Sequence, residues 1–166
     1  MAATVTSNIL FQFRSILANT VGLASAQASV ETGVTAAVPS GTGANQADRI
    51  YTDAAKSISG AFDYDLSGAL LDALGGAFVL ARVKAILLIA AAANPGNVII
   101  GNDAASPALG FGAITHTWAV KPGGIFFVYA PDAVGWAITA GTADILQVTP
   151  SAGTCIFDLA ILGSSV

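Results

Sequence analysis

AFVLARVKAILLIA, residues 77–90, is the longest apolar run in the chain and contains neither glycine nor proline. Read with a period of two, its odd positions Ala77, Val79, Ala81, Val83, Ala85, Leu87 and Ile89 are all apolar. Its even positions place Arg82 and Lys84 among Phe78, Leu80, Ile86 and Leu88. The spacing predicts a strand whose odd face is pure core and whose even face carries two cations. At about 3.3 Å per residue it would span roughly 45 Å, far beyond an ordinary strand, so it is expected to be central and bent.

Just upstream, SISGAFDYDL at 57–66 sets Ile58, Phe62, Tyr64 and Leu66 against Ser57, Ser59, Asp63 and Asp65, the pattern of a half-buried strand. A short helical turn at 69–74, ended by Gly75 and Gly76, is expected to join the two strands. Asp63 and Asp65 would then share one face, Arg82 and Lys84 a face of the next strand, and cross-strand ion pairs are expected among the four. The rival readings are exposed carboxylates or, with Asp72, a site for a hard cation; Ca²⁺ wants about six or more oxygens, and no EF-hand spacing exists.

Downstream, strands are expected at 97–100, 114–120, 125–130, 136–139, 145–149 and 155–162, separated by Asn94-Pro95-Gly96, a Gly-rich stretch at 101–112, Lys121-Pro122-Gly123-Gly124 and Pro150 to Gly153. IFFVYA at 125–130 is apolar on both faces, which implies core on one side and a subunit contact on the other. Phe126 and Val128 are assigned to that contact. At the N-terminus, residues 4–17 read as a strand with Ile9, Phe11 and Phe13 on one side, also candidates for an interface, while 18–38 is open between a second extended segment and a short helix. The Pro, Ser and Gly cluster at 39–45 separates an extended N-terminal arm, residues 1–46, from a main domain, residues 47–166. Turn signals at short intervals without a sustained helical period give the fold class: all-β, an antiparallel β-sandwich, jelly-roll-like, with that arm attached.

Of the 166 residues 54% are hydrophobic and 10% charged, whereas soluble domains carry roughly 25% charge. A membrane or a large protein interface must take up some of the apolar surface. The best membrane candidate, 69–93, is interrupted by Asp72, Arg82, Lys84 and a Gly pair, and no cationic segment precedes an apolar one at the N-terminus. Neither a membrane helix nor a secretory signal is expected, and homo-oligomerisation is preferred. The net charge of −4 and scattered cations argue against nucleic acid.

Catalytic patterns are sparse. The single histidine, His116, lies in a strand pattern with Trp118, and no Gly-x-Ser-x-Gly occurs. Gly41-x-Gly43 and Gly110-x-Gly112 lack the third glycine of a dinucleotide loop. Cys155 is a lone cysteine that alternates with Phe157, Leu159 and Ile161, as a buried small hydrophobe would. No catalytic residue, cofactor or metal ligand is assigned, and the chain is not expected to be an enzyme.

GTGANQADRIYTD at 41–53, FDYDLSGALLDALGGAFVLARVKAILL at 62–88, VKPGGIFFVYAPDAVGWAITAGTADILQV at 120–148 and FDLAILG at 157–163, in this order, resemble small β-sandwich structural proteins of tailed bacteriophages, of the capsid decoration or cement type. The resemblance implies a homotrimer on the outer surface of the phage head, assembled in the host cytoplasm, that ties major capsid protein subunits together. It implies contact area and no catalysis. The alternative is a tail, fibre or head-spike component that binds a host surface ligand.

Overall fold

The small and β-branched residues across 7–38 resolve into two strands, β1 (Ser7–Val21) and β2 (Ala24–Val38), paired antiparallel from Ser7 opposite Val38 to Val21 opposite Ala24. The segment left open between strand and helix is therefore extended: the period-two pattern of β2 becomes readable only against β1, where Val34 and Val30 fall opposite Phe11 and Ser15. This computed structural model describes residues 4–21, 24–68, 70–103 and 115–166. Residues 22–23, Ala69 of the turn expected at 69–74, and the whole stretch 104–114 lie outside them.

Among the described residues nine further strands follow: β3 (Arg49–Ile58), β4 (Phe62–Asp65), β5 (Arg82–Ala90), β6 (Val98–Asn102), β7 (Thr117–Val120), β8 (Ile125–Tyr129), β9 (Trp136–Ala137), β10 (Ile145–Pro150) and β11 (Cys155–Ser164). They form two antiparallel sheets, one ordered β4-β10-β6-β7 and the other β3-β11-β5-β8, with β9 also on β5. The sheets pack face to face, Tyr64, Val98, Ile100, Leu146 and Val148 of the first against Ile86, Leu88, Phe157, Leu159 and Ile161 of the second. Burying each such side chain contributes about 1.5–3 kcal/mol. The protein is an all-β antiparallel sandwich, as its turn spacing predicts. No helix of the described residues is long and apolar enough to cross a membrane.

β5 is central, between β11 and β8, but its faces are not the expected ones. The core-facing residues of the opening run are Phe78, Leu80, Val83, Ile86, Leu88 and Ala90, so beyond residue 85 the even face is the inner one. Two irregularities cause this. The chain bends at Ala81 before joining the sheet. Then Leu162 faces Ala85 while Gly163 faces Val83, which leaves Lys84 as the extra residue of a β-bulge. Each interruption shifts the phase of the alternation by one.

β3 was not legible as a strand for the same reason. On β11, Phe157 and Leu159 are two apart, but they face Lys56 and Asp53, so β3 carries an extra residue at 54–55. Ala55 takes a left-handed conformation, φ 50°, and its N–H is satisfied by Asp158 Oδ1 at 2.7 Å. Ser59 and Gly60 then break the single strand expected over 57–66, sending β3 to one sheet and β4 to the other.

Three other expectations need correction. The ion pairs of Asp63 and Asp65 with Arg82 and Lys84 do not form, because β4 pairs with β10 and β5 lies in the opposite sheet. Asp63 accepts from Gln147 Nε2 at 2.8 Å and Asp65 from the Ser67 amide at 3.0 Å. Arg82 Nη1 donates to the Val166 carbonyl and Lys84 Nζ to the Asp132 carbonyl. Secondly, Phe126 and Val128 point into the sandwich core, and it is Ile125 and Phe127 that face outward. Lastly, the segment before Gly75 is a tight non-helical turn: Asp72 Oδ1 accepts from the amides of Leu74 and Gly76, both at 2.8 Å, and Leu71 bridges to Ala77.

Candidate assembly surface

Among the described residues the β1–β2 hairpin pairs with no other strand, and residues 10–18 and 27–35 are all exposed. Its two faces differ in chemistry. One combines Ile9, Phe11, Phe13, Ser15 and Leu17 with their partners Ala36, Val34, Thr32, Val30 and Ala28, and bears no charge. The other carries Gln12, whose Nε2 donates to Glu31 Oε1 at 2.8 Å, and Arg14, 3.9 Å from Glu31, although Leu10 and Ile16 also lie there. Phe11 is 54% exposed and Phe13 51%, a large apolar payload for a two-stranded ribbon in water.

The root of the ribbon is anchored. Ile9 and Val5 pack with Val38, Ala47, Ala85, Leu162 and Tyr129 on the outer face of the β3-β11-β5-β8 sheet. The loop after β2 folds around Gln46, whose Oε1 accepts from the Gly43 amide at 2.9 Å; a Cβ on Gly41, φ 148°, would lie 2.4 Å from that oxygen. Asn45 N donates to the Pro131 carbonyl at 2.7 Å and Tyr129 Oη to Asn45 Oδ1 at 3.0 Å.

Beyond the root, residues 10–18 of the ribbon are exposed. Between ribbon and sheet opens an apolar groove of about 610 Å³, with Ile9 and Phe11 on one wall and Leu87, Ile89, Ile125 and Phe127 on the other. Of the five residues expected at an interface, Ile9 is half-buried at the root, Phe11 and Phe13 lie exposed on the uncharged ribbon face, and Phe126 and Val128 belong to the core. The outward residues of β8 and β5 replace those last two. IFFVYA was legible as apolar on both faces; which face met the other sheet depended on the register with β5, in which Ile125 faces Ile89.

Several polar groups of the body are tied into the scaffold, while Arg49 Nε and Asp144 Oδ1 are buried without a hydrogen-bond partner among the described residues. Tyr64 and Tyr51 both donate to Asp53 Oδ2, at 3.1 and 3.4 Å, and Lys56 Nζ lies 3.4 Å from the same oxygen and 3.8 Å from the Phe62 ring centroid. This cluster clamps β3 to β4 at the corner where the chain changes sheets. Burial, then the Asp53 charge and hydrogen bond, push both phenol pKa values up, so the hydroxyls act as donors. Lys84 is buried beneath the 131–135 loop; desolvation draws its pKa down against the pull of Asp132. Asp132 Oδ1 in turn accepts from the amides of Val134 and Gly135, both at 2.7 Å. Asp144, also buried, takes Ser67 Oγ at 2.7 Å and the Gly141 amide at 2.6 Å.

No family model, no curated protein and no solved structure gives a significant match to this chain. Its function is therefore argued from its own surface. Among the described residues no group of three or more His, Cys, Asp or Glu is placed to hold a metal ion. Cys155 is buried with its Sγ 3.6 Å from the Gly96 and Ala152 carbonyls. His116 is exposed, and so is Trp118, at 60%. The sequence did not single out Asp53, Ile125 or Phe127.

Proposed function

We propose that the protein is a non-enzymatic structural component of a bacteriophage virion, a decoration or cement protein that assembles as a homo-oligomer, a trimer by the sequence resemblance, and binds between major capsid protein subunits on the head. The observation that carries the assembly part is the uncharged ribbon face. An isolated two-stranded hairpin is marginally stable in water, and its apolar face needs a cover that its own sandwich provides only at the root. The virion part rests on the sequence resemblance and draws support from strand order. Leaving aside the ribbon and the short β9, the first of the eight remaining strands neighbours the last, and the orders β3-β11-β5-β8 and β4-β10-β6-β7 support a jelly-roll reading, an architecture common to viral capsid and lectin domains.

The test is binding to phage heads. Purified protein incubated with undecorated heads of the source phage should add regular outer density in electron micrographs and co-sediment with the shells. Labelling confined to the tail, or no association with virions, would overturn the decoration reading. One observation favours a second reading, a component that binds a host glycan: Trp118 lies exposed on the edge strand β7, where a sugar ring could stack. Trp118→Ala would abolish cell-surface binding under that reading and leave head binding intact under the first.

A further inference from the structure

The uncharged ribbon face and the apolar groove are both unfilled, and both are present once on every copy of the chain. From Ile9, the last rung seated on the sheet, to Val21 the ribbon runs twelve residues, about 40 Å at 3.3 Å per residue. The strands of the body are shorter, β11 having ten residues and β5 nine. The ribbon thus reaches beyond the sheet that holds its root. The groove wall on the sandwich, Leu87, Ile89, Ile125 and Phe127, is uncharged like the ribbon face, so neither surface must desolvate an ionised group to meet the other. The Arg14–Glu31 pair stays on the opposite side, in water. The first rung of this same face, Ile9, already packs on the same outer sheet face within its own chain. Its later rungs, Phe13 and Leu17, repeat that chemistry and stay 51% and 73% exposed.

We propose that the groove is the docking site for the distal ribbon of a second copy: Phe13 and Leu17 of one chain seat on Ile89, Ile125 and Phe127 of the next. Because each chain gives one ribbon and offers one groove, this contact satisfies every copy when its rotation closes into a symmetric ring. The contact is face to face. Edge pairing is not required, since β1 already has its partner in β2. This names the surface behind the assembly reading above and does not depend on the virion reading.

The test uses full-length protein. Sedimentation and light scattering at micromolar concentration should give an oligomer, and the ribbon variants Phe13→Asp and Leu17→Asp together should give a monomer with unchanged circular dichroism. A surface variant on the other wall, Ile125→Asp, should do the same. Mixing the single-cysteine variants Phe13→Cys and Ile125→Cys under mild oxidation should give a disulfide-linked heterodimer; buried Cys155 stays out of reach. A monomeric wild type, ribbon aspartates that leave the mass unchanged, or a Phe13→Cys/Ile125→Cys double variant whose bond forms within one chain would each overturn the proposal. An oligomer that does not bind heads overturns only the decoration reading, whereas a monomer that binds them overturns this proposal and the assembly reading with it and leaves the decoration reading standing.

Discussion

Tyr64 has no exposed surface, and its hydroxyl reaches Asp53 across the corner between sheets. Replacing it with phenylalanine keeps the ring and removes the donor, so Tyr64→Phe should cost about 1.5 kcal/mol in urea denaturation, and Tyr51→Phe, on the longer contact, less. A loss of several kcal/mol for Tyr64→Phe would mean that Asp53 is held by this bond alone. Lys84 makes the opposite point. Its pKa is lowered in the folded protein, chiefly by burial, so the unfolded chain binds more protons than the folded one between that lowered value and the ordinary 10.5. Wild-type stability should therefore rise with pH through that window, while a variant with no ammonium stays level. Lys84→Met should be more stable than wild type by about 1 kcal/mol at pH 7, with the gap closing toward pH 10.5. A gap that widened with pH would overturn this account. Neither position could be valued from the sequence. Tyr64 was visible as a core residue of an alternating segment, but its partner Asp53 lay in a strand that was not recognised. Lys84 looked like half of a cross-strand ion pair because nothing in its neighbours announces a bulge.

At the level of the strand, bulges decide what the chain discloses about itself. Strands at β8, β10 and β11 were legible because their alternation runs unbroken or their turns carry glycine and proline. The inner face of β5 was misread and β3 was missed, since one inserted residue reverses every later side chain. The β3 bulge also makes a measurable demand on its sequence. Ala55 sits at φ 50°, where a Cβ costs about 1–2 kcal/mol and glycine's extra chain entropy costs about 0.5–1 kcal/mol. Ala55→Gly should raise stability by about 0.5 kcal/mol in thermal or urea melts. Asp158→Ala, which takes the acceptor from the Ala55 amide at this exposed site, should lower it by about 1 kcal/mol or less. If Ala55→Gly instead destabilises, the left-handed conformation is not strained and the bulge is held by the backbone of β11.

For the whole molecule, the low charge seen in the composition has an address: the ribbon and the outer sheet face carry the apolar surface that the sandwich leaves uncovered. The chain's composition called for a membrane or a large protein interface, and the Ile9, Phe11 and Phe13 alternation pointed to the ribbon. The groove could not be read, because its walls come from β1, β5 and β8 and meet only in three dimensions. If a second copy covers the ribbon, stability must follow mass action: the melting temperature of the wild type should rise with protein concentration, and that of the Phe13→Asp/Leu17→Asp variant should not. Trypsin supplies an independent readout. Within the ribbon Arg14 is the sole cleavage site, and its side chain is 64% exposed in a single copy. Elsewhere Arg49 and Lys56 lie in β3, held along its length by pairing with β11, Arg82 and Lys84 lie in the central strand, and Lys121 precedes Pro122, a bond trypsin does not cut. A two-stranded ribbon without cover opens readily. In dilute solution the first cut should therefore fall after Arg14, slowing as concentration rises through the assembly range, while the aspartate variant is cut at one fast rate throughout. A rate at Arg14 that ignores concentration in the wild type would mean that no second chain lies over the ribbon.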